Sequence, residues 1–480
     1  MKIDEEFILS AAPNVDSAKN GRVLVLKKQF VSLHHSEDQT LWFGYCQGSG
    51  KVPYLCSADF AVTEKPVYRC TCPSRLFPCK HSLGLLYAKV DGHKFTVADV
   101  PEAISAKREK AKSQSEKKRV ESAKPRKVNK TALARKIQAQ LEGIDLLETL
   151  THDLVRLGIG NMNAKLAKQM EDQARQLGDA YLPGAQAALR NYTKLFYADN
   201  GREVTSAGRE AAFSEAFDQL GRLHSLIGRG RTYLQSRLDD PELSPETESA
   251  IAAWLGHAWQ LRELKEAGLF EEDAELVQLA FNTHDDVARQ EIVDTGIWIN
   301  TGSGRIGLTQ NFRPYKSLKY IKSDDSFFQV ALIKELYQYP GNLNPRIRWD
   351  GILTRPIASS DLAKIRNHAR ADFAEIIKEV KTRIKAPLAD KQPIFALRCD
   401  RIGQIDGKYV AEDAKKQRLV FADAGMTEEP RSCHLLQLLP KVLLQGNVVV
   451  VRFRHDLDAH RLQIKPLAIV SENEIVRLTL

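Results

Sequence analysis

Three thiols and an imidazole lie within one short run, Cys70-Thr-Cys72-Pro-Ser-Arg-Leu-Phe-Pro-Cys79-Lys-His81. The spacing is C-x-C, six residues, then C-x-H. Thiolate sulfur and imidazole nitrogen are the donors that zinc takes, and four of them can close a tetrahedron around one ion. In an extended strand Cys70 and Cys72 share a face, and Pro73 turns the chain away. Cys79 and His81 fall where a helix begins, so a strand end and a helix start are expected to converge on the metal. Four protein ligands leave no position for water, which favours a structural zinc ion over a catalytic one. Two other readings of the same residues stand beside this one. One is plain packing of small thiols and a core histidine. The other is a redox switch that releases the metal when the thiols oxidise. Cys46 and Cys56 lie near the cluster and read as hairpin packing.

The elements that must hold these ligands follow from the flanking pattern. Residues 22–45 alternate in a strand-like way, through Val23, Val25, Phe30 and Leu33 to the aromatic run Trp42-Phe43-Gly-Tyr45. Gly48-Ser-Gly-Lys51 is a turn, and Tyr54–Phe60 returns as a strand, which makes a hairpin. Val67-Tyr68 leads into the cysteines. Ser82–Val90, with Leu83, Leu85, Leu86 and Ala88, reads as a short buried helix closed by Asp91-Gly92.

Composition places the chain among globular proteins. It has 480 residues, 43% of them hydrophobic, enough to build cores in two to four domains. No apolar run reaches the roughly 18 residues of a membrane span. The acidic start Met1-Lys-Ile-Asp-Glu-Glu lacks the order of a signal peptide. Seven cysteines, an odd number with three clustered, suit metal binding in a reducing compartment better than disulfides. A soluble cytoplasmic protein is therefore expected, with no membrane partner. The net charge of +9 is local: residues 101–130 hold 11 Lys/Arg against 4 Asp/Glu, and the rest of the chain is nearly neutral. That segment has almost no large apolar residue and reads as a linker. It is either a solvated spacer or an arm that contacts phosphates.

Beyond the linker the period becomes helical. Leu133, Ile137, Leu141, Ile144, Leu147, Leu150 and Leu154 step by three or four. Further helices are expected near 163–181, 185–197 and 209–235. Ser244-Pro245 signals another, running through Ile251 and Trp254 to Gly268, and a last one spans about 271–282. From about 296 the pattern turns to strands, interrupted by one long helix capped by Ser360 and ended by Pro387. The expected fold class is a multidomain α+β chain. Its parts are an N-terminal region over 1–99 with a zinc module at about 40–92, a basic linker over 100–130, a helical domain over 131–293 and a mixed β-rich C-terminal domain over 294–480.

The segment Cys70–Leu86, together with Cys46-Gln-Gly-Ser-Gly-Lys-Val-Pro-Tyr54, resembles the bacterial SWIM zinc finger proteins. Gln169-Met-Glu-Asp-Gln-Ala-Arg175 is similar more loosely. The resemblance implies a ββα zinc module with Cys70, Cys72, Cys79 and His81 as ligands. It also implies DNA or protein binding, and association with MoxR-type ATPases and von Willebrand A-type proteins.

Other signals carry less. Gly302-Ser-Gly304-Arg-Ile-Gly307 matches a dinucleotide fingerprint as text, but no helix follows to receive a pyrophosphate, so a hairpin turn is expected. His455-Asp-Leu-Asp-Ala-His460 reads as a turn between strands, and Thr283-His-Asp-Asp286 as a helix start or loop. No phosphate loop and no readable catalytic set is present, and a small-molecule substrate is not indicated. The sequence favours a zinc-stabilised binding protein whose partner is a protein complex, a nucleic acid or both. Its alternatives are an enzyme with its site in the C-terminal half and a thiol redox sensor.

Overall fold

A computed structural model describes residues 3–48, 52–61, 66–74, 78–102, 104–105, 108, 130–159, 161–197, 206–318, 320–423 and 430–479. The core of the expected linker, 109–129, and most of the turn at Gly48–Lys51 lie outside the described residues. The chain is a multidomain α+β protein that divides into two compact units, Met1–Lys127 and Val128–Leu480. No described helix is long and apolar enough to cross a membrane.

The first unit begins with α1 (Glu5–Ala11) and α2 (Val15–Leu26). Each starts on a capping side chain: Asp4 accepts from the Phe7 N–H at 3.0 Å, and Asn14 from the Ser17 N–H at 2.8 Å. The strand expected from residue 22 therefore starts later, because Val23 and Val25 belong to the end of α2. A four-strand antiparallel meander follows: β1 (Phe30–His35), β2 (Leu41–Cys46), β3 (Tyr54–Asp59) and β4 (Val67–Cys70). Across it packs α3 (Lys80–Val90), and β5 (Thr96–Val97) adds to β1 in parallel. Leu83, Leu85 and Leu86 on α3 are buried with Ile8, Leu24, Cys46 and Cys56. Each such leucine contributes about 1.5–3 kcal/mol by leaving water. The α2–α3 crossing is close because glycines face each other. A Cβ on Gly84 would sit 3.0 Å from the Gly21 carbonyl, and one on Gly21 3.0 Å from the Lys80 carbonyl.

The second unit opens with four long helices, α4 (Lys130–Leu157), α5 (Ala164–Asp179), α6 (Pro183–Lys194) and α7 (Ser206–Asp239). Ile144, Leu147, Leu189, Phe196, Leu223 and Leu226 form their shared core. The helix expected from Ser244 to Gly268 is instead two short ones, α8 (Ile251–Trp254) and α9 (Leu261–Glu266). Gly256 lies between them at φ +70°, the left-handed conformation that ends a helix.

The helix expected over 271–282 is a strand. β6 runs Phe270–Asp286 and pairs with β7 (Glu291–Asn300), which pairs with β8 (Ile306–Pro314). Thr283-His-Asp-Asp286 lies inside β6 and not at a helix start. Strand structure therefore begins at 270, ahead of the 294 expected for the β-rich region. β9 (Val330–Gln338) flanks the other side of β6, with β10 (Ile347–Arg348) and β11 (Leu353–Arg355) on β9. The edges of this sheet meet: Leu308 bridges Arg346, and the Leu308 N–H donates to the Pro345 carbonyl at 2.9 Å. The sheet thus curls into a short barrel. Gly307 permits the approach, since a Cβ there would lie 2.7 Å from Ile347.

The single long helix expected from Ser360 is two, α10 (Ser359–His368) and α11 (Phe373–Ile384). Between them Arg370 takes a strand-like place, accepting from Arg398 N–H at 2.8 Å and donating to the Ala396 carbonyl at 2.9 Å. Asp372 then caps α11. A seven-stranded sheet completes the unit: β12 (Ile394–Arg398), β13 (Arg401–Ile405), β14 (Lys408–Glu412), β15 (Arg418–Phe421), β16 (Val448–Asp456), β17 (Arg461–Val470) and β18 (Ile475–Arg477). One face meets the curled sheet through Val448, Val450 and Leu467 against Val277 and Ile297. The other packs Val449, Val451 and Phe453 against Phe373, Ile376 and Val380 of α11.

Candidate metal centre

Cys70 ends β4 opposite Cys56 of β3. The next residue locks the turn onto β3: the Thr71 N–H donates to the Leu55 carbonyl at 3.0 Å, and the Leu55 N–H donates to the Thr71 hydroxyl at 3.0 Å. Cys72 follows on this knuckle. Cys79 is the N-cap of α3, extended at φ −77° and ψ 166°, and its carbonyl accepts from the Leu83 N–H at 3.0 Å. Its sulfur sits at the positive end of the helix, 3.7 Å from the Ser82 hydroxyl. His81, one residue into the helix, is buried, with the Tyr54 ring centroid 5.0 Å from its own.

These elements bring all four side chains together. One ligand atom from each of Cys70, Cys72, Cys79 and His81 lies within 4.8 Å of every other. The Nδ1 of His81 is 3.8 Å from the sulfur of Cys70 and 3.8 Å from that of Cys79. A tetrahedral site with thiolate and imidazole ligands has edges of about 3.6–3.8 Å. The cluster therefore has the size and donor set to bind a metal ion. Cys70 and Cys72 are half-buried and Cys79 and His81 buried, so the site opens on its cysteine side.

The electrostatics point the same way. The Cys70 thiol donates to Cys79, which raises the pKa of Cys70, and burial adds to the rise. Accepting that hydrogen bond holds Cys79 well below the usual thiol range, with help from His81 and Ser82. Burial also raises Cys72. Crowding thus favours protons retained at Cys70 and Cys72, and a metal cation would displace them by neutralising the thiolates. Cys46 and Cys56 behave differently. Burial pushes Cys46 up to about 11 and Cys56 well above the ordinary value. Their thiols donate to the carbonyls of Gln47 and Gly44, which makes them packing residues of the meander.

The remaining sequence signals fall where packing explains them. Gly302 and Gly304 lie in the β7–β8 hairpin, which leads into a strand. His455–His460 spans the β16–β17 hairpin.

Sequence reasoning missed a second feature, a cleft of about 620 Å³ at the mouth of the curled sheet. Trp298, Trp349, Phe327 and Ile347 line it, with Lys322, Asp324, Arg346 and Arg348 among its polar residues. Trp298 and Trp349 meet edge to face at 5.3 Å. Arg346 is held between Phe312 and Tyr339, with its guanidinium carbon 5.0 Å and 4.8 Å from the ring centroids. Its Nε is buried without a hydrogen-bond partner, and burial lowers its pKa. The loop over the cleft is tied down from below. Buried Asp294 accepts from the Asp324 N–H at 2.9 Å and from Arg313 at 2.6 Å, while Gln278 accepts from the Phe327 N–H at 2.8 Å. The only available signal was the aromatic and basic content of Arg346-Ile-Arg-Trp349, which has no motif spacing.

Comparison of the chain with family models, with curated proteins and with solved structures returned no match.

Proposed function

We propose that Cys70, Cys72, Cys79 and His81 hold one structural zinc ion in a SWIM-type module, and that this module presents a binding surface for a protein or nucleic-acid partner. The observation that carries the reading is the convergence of four protein donors within 4.8 Å. That set fills a tetrahedron and leaves no ligand position for substrate, so the metal's work is to hold β4 and α3 together. The residue pattern Cys70–Leu86 supports the family assignment, and the basic run at 101–130 supports an acidic partner. By the same resemblance, a MoxR-type ATPase and a von Willebrand A-type protein are partners to test first.

An enzyme reading would draw on the cleft in the second unit. Its lining offers Asp324, Asp325 and Lys322 as acid or base groups, and turnover of a substrate bound there, lost in Asp324→Asn, would favour that reading over binding alone. Two measurements test the proposal. Elemental analysis of purified protein should find about one zinc per chain in the wild type and a loss in Cys72→Ser. A pull-down of the full chain from its own cell extract, with and without nuclease, separates protein from nucleic-acid partners. A wild-type protein purified without chelator that carries no zinc refutes the metal assignment. A redox-sensor role requires that peroxide release the metal and form a disulfide; zinc retained after peroxide excludes it.

A further inference from the structure

Independently of the zinc module, the cleft at the mouth of the curled sheet has the makings of a ligand site. Its volume of about 620 Å³ falls within the roughly 300–1,000 Å³ of small-molecule sites, and barrel mouths are a common place for them. Two properties of the lining select the ligand. The first is flat apolar surface: Trp349 and Phe327 are half-buried, and the edge-to-face contact with Trp298 steadies Trp349. The second is unmatched positive charge. Among the described residues, no carboxylate pairs with the side chains of Lys322, Arg346 or Arg348. Elsewhere in this unit several sheet arginines meet a carboxylate, as Arg313 does Asp294 and Arg355 does Asp361, while Arg398 and Arg477 donate to backbone carbonyls. Arg346 is also pre-positioned by its two aromatic neighbours, so little side-chain entropy is lost when it takes an anion.

We propose that this cleft binds a nucleotide unit, with the base against Trp349 and Phe327 and the phosphate held by Arg346, Arg348 and Lys322. Base-on-aromatic stacking uses the flat wall, and guanidinium groups match phosphate oxygens in geometry as well as charge. Asp324, Asp325, Thr309 and Gln310 complete the lining. Carboxylates there can accept from the exocyclic amino groups of a base. A neutral sugar would stack on the same wall but would leave Arg346, Arg348 and Lys322, which outnumber Asp324 and Asp325 in the lining, without an ion-pair partner.

The shared chemistry is a base joined to a phosphate, and it could come from a free nucleotide or from a single strand. Full-length protein is titrated with the four ribonucleoside 5′-monophosphates, following tryptophan fluorescence, and with a short labelled single-stranded oligonucleotide, following anisotropy. Saturable quenching by a mononucleotide marks a free-nucleotide site; binding of the oligonucleotide alone marks a strand site. In either case Trp349→Ala should weaken binding by about tenfold, within the range of a lost base stack. The exposed pair Lys322→Ala/Arg348→Ala, which leaves the packed Arg346 in place, should weaken it as well. For the strand it should flatten the dependence of affinity on salt by about one log unit per log unit. Both variants must keep the wild-type circular dichroism and melting profile. If neither probe binds, or a neutral oligosaccharide or acidic peptide binds in their place, the assignment is wrong. Strand binding that survives both variants belongs elsewhere, as to the basic run at 101–130, and also overturns it. Cys72→Ser should leave cleft binding intact, so failure here and failure of the zinc reading are separable.

Discussion

Helix α3, which carries His81 and is capped by Cys79, rests on α2 through two glycines, and that contact gives a sharp test of what positions the candidate metal centre. In Gly21→Ala the new methyl would lie 3.0 Å from the Lys80 carbonyl oxygen, 3.1 Å from the Gly84 nitrogen and 3.1 Å from the Leu83 Cβ. Two of these are backbone atoms and cannot rotate away, so the helices must part by a few tenths of an ångström. Helix propensity favours alanine over glycine by about 1 kcal/mol. Overpacking a tight contact costs about 1–3 kcal/mol. The balance is a net loss of about 1 kcal/mol, felt where Cys79 and His81 begin α3. Gly228 on α7 supplies the control: it is exposed, and a Cβ there meets nothing within 4 Å. Gly228→Ala should therefore stabilise its helix by about 1 kcal/mol. Hydrogen exchange read on peptides covering 15–26, 80–90 and 215–235 separates the two effects. Exchange in the first two should quicken about fivefold in Gly21→Ala, and that in the third should slow in Gly228→Ala. If both alanines slow exchange locally, the close-approach argument fails and helix propensity alone governs both sites.

Two further outcomes concern the second unit. Glu412 is buried between Arg418 at 2.7 Å and Arg401 at 2.9 Å, and these partners pull its carboxyl from 4.5 down to about 2. A depressed folded-state pKa adds stability above the unfolded value and loses it as pH falls toward the folded one. The melting-temperature gap between wild type and Glu412→Gln should thus be full above about pH 5 and shrink steadily below about pH 4.5; a gap unchanged down to pH 3 would contradict this. Asp294 is fully buried, pairs with Arg313 and holds the loop over the cleft through the Asp324 N–H. Asp294→Ala strands the Arg313 charge and should cost about 3 kcal/mol in chemical denaturation, with faster exchange across 320–328. A loss below about 1 kcal/mol would show that Arg313 finds water instead.

Legibility along the chain followed the range of the interactions involved. The four candidate ligands of Cys70–His81 lie on one knuckle and one helix turn, so local spacing was enough to group them, and the structure brings all four together. The amphipathic helices from Leu133 to Ile227 were equally legible, because one apolar stripe faces one core. Misreadings arose where both faces are buried. β6 carries Leu276, Val277, Leu279, Ala280 and Phe281 in a near-continuous apolar run with a bulge between Gln278 and Ala280, so neither a helical nor a strand period stands out. Val23 and Val25 of α2 were too short a run to declare a helix. The break in the expected long helix was signalled by Asp372, a good cap, but its cause is Arg370 pairing with Ala396 and Arg398 on another element.

By itself, then, the amino-acid sequence determined the candidate metal-ligand set, the helix-rich middle and the location of the positive charge, because each depends on residues near one another along the chain. The cleft was decided only by tertiary structure. Trp298 and Trp349 are far apart in sequence, and Arg346 reaches its place only because β8 and β10 meet across Gly307 and close the sheet. Such a site is written in the register between strands, and register is a property of the folded chain.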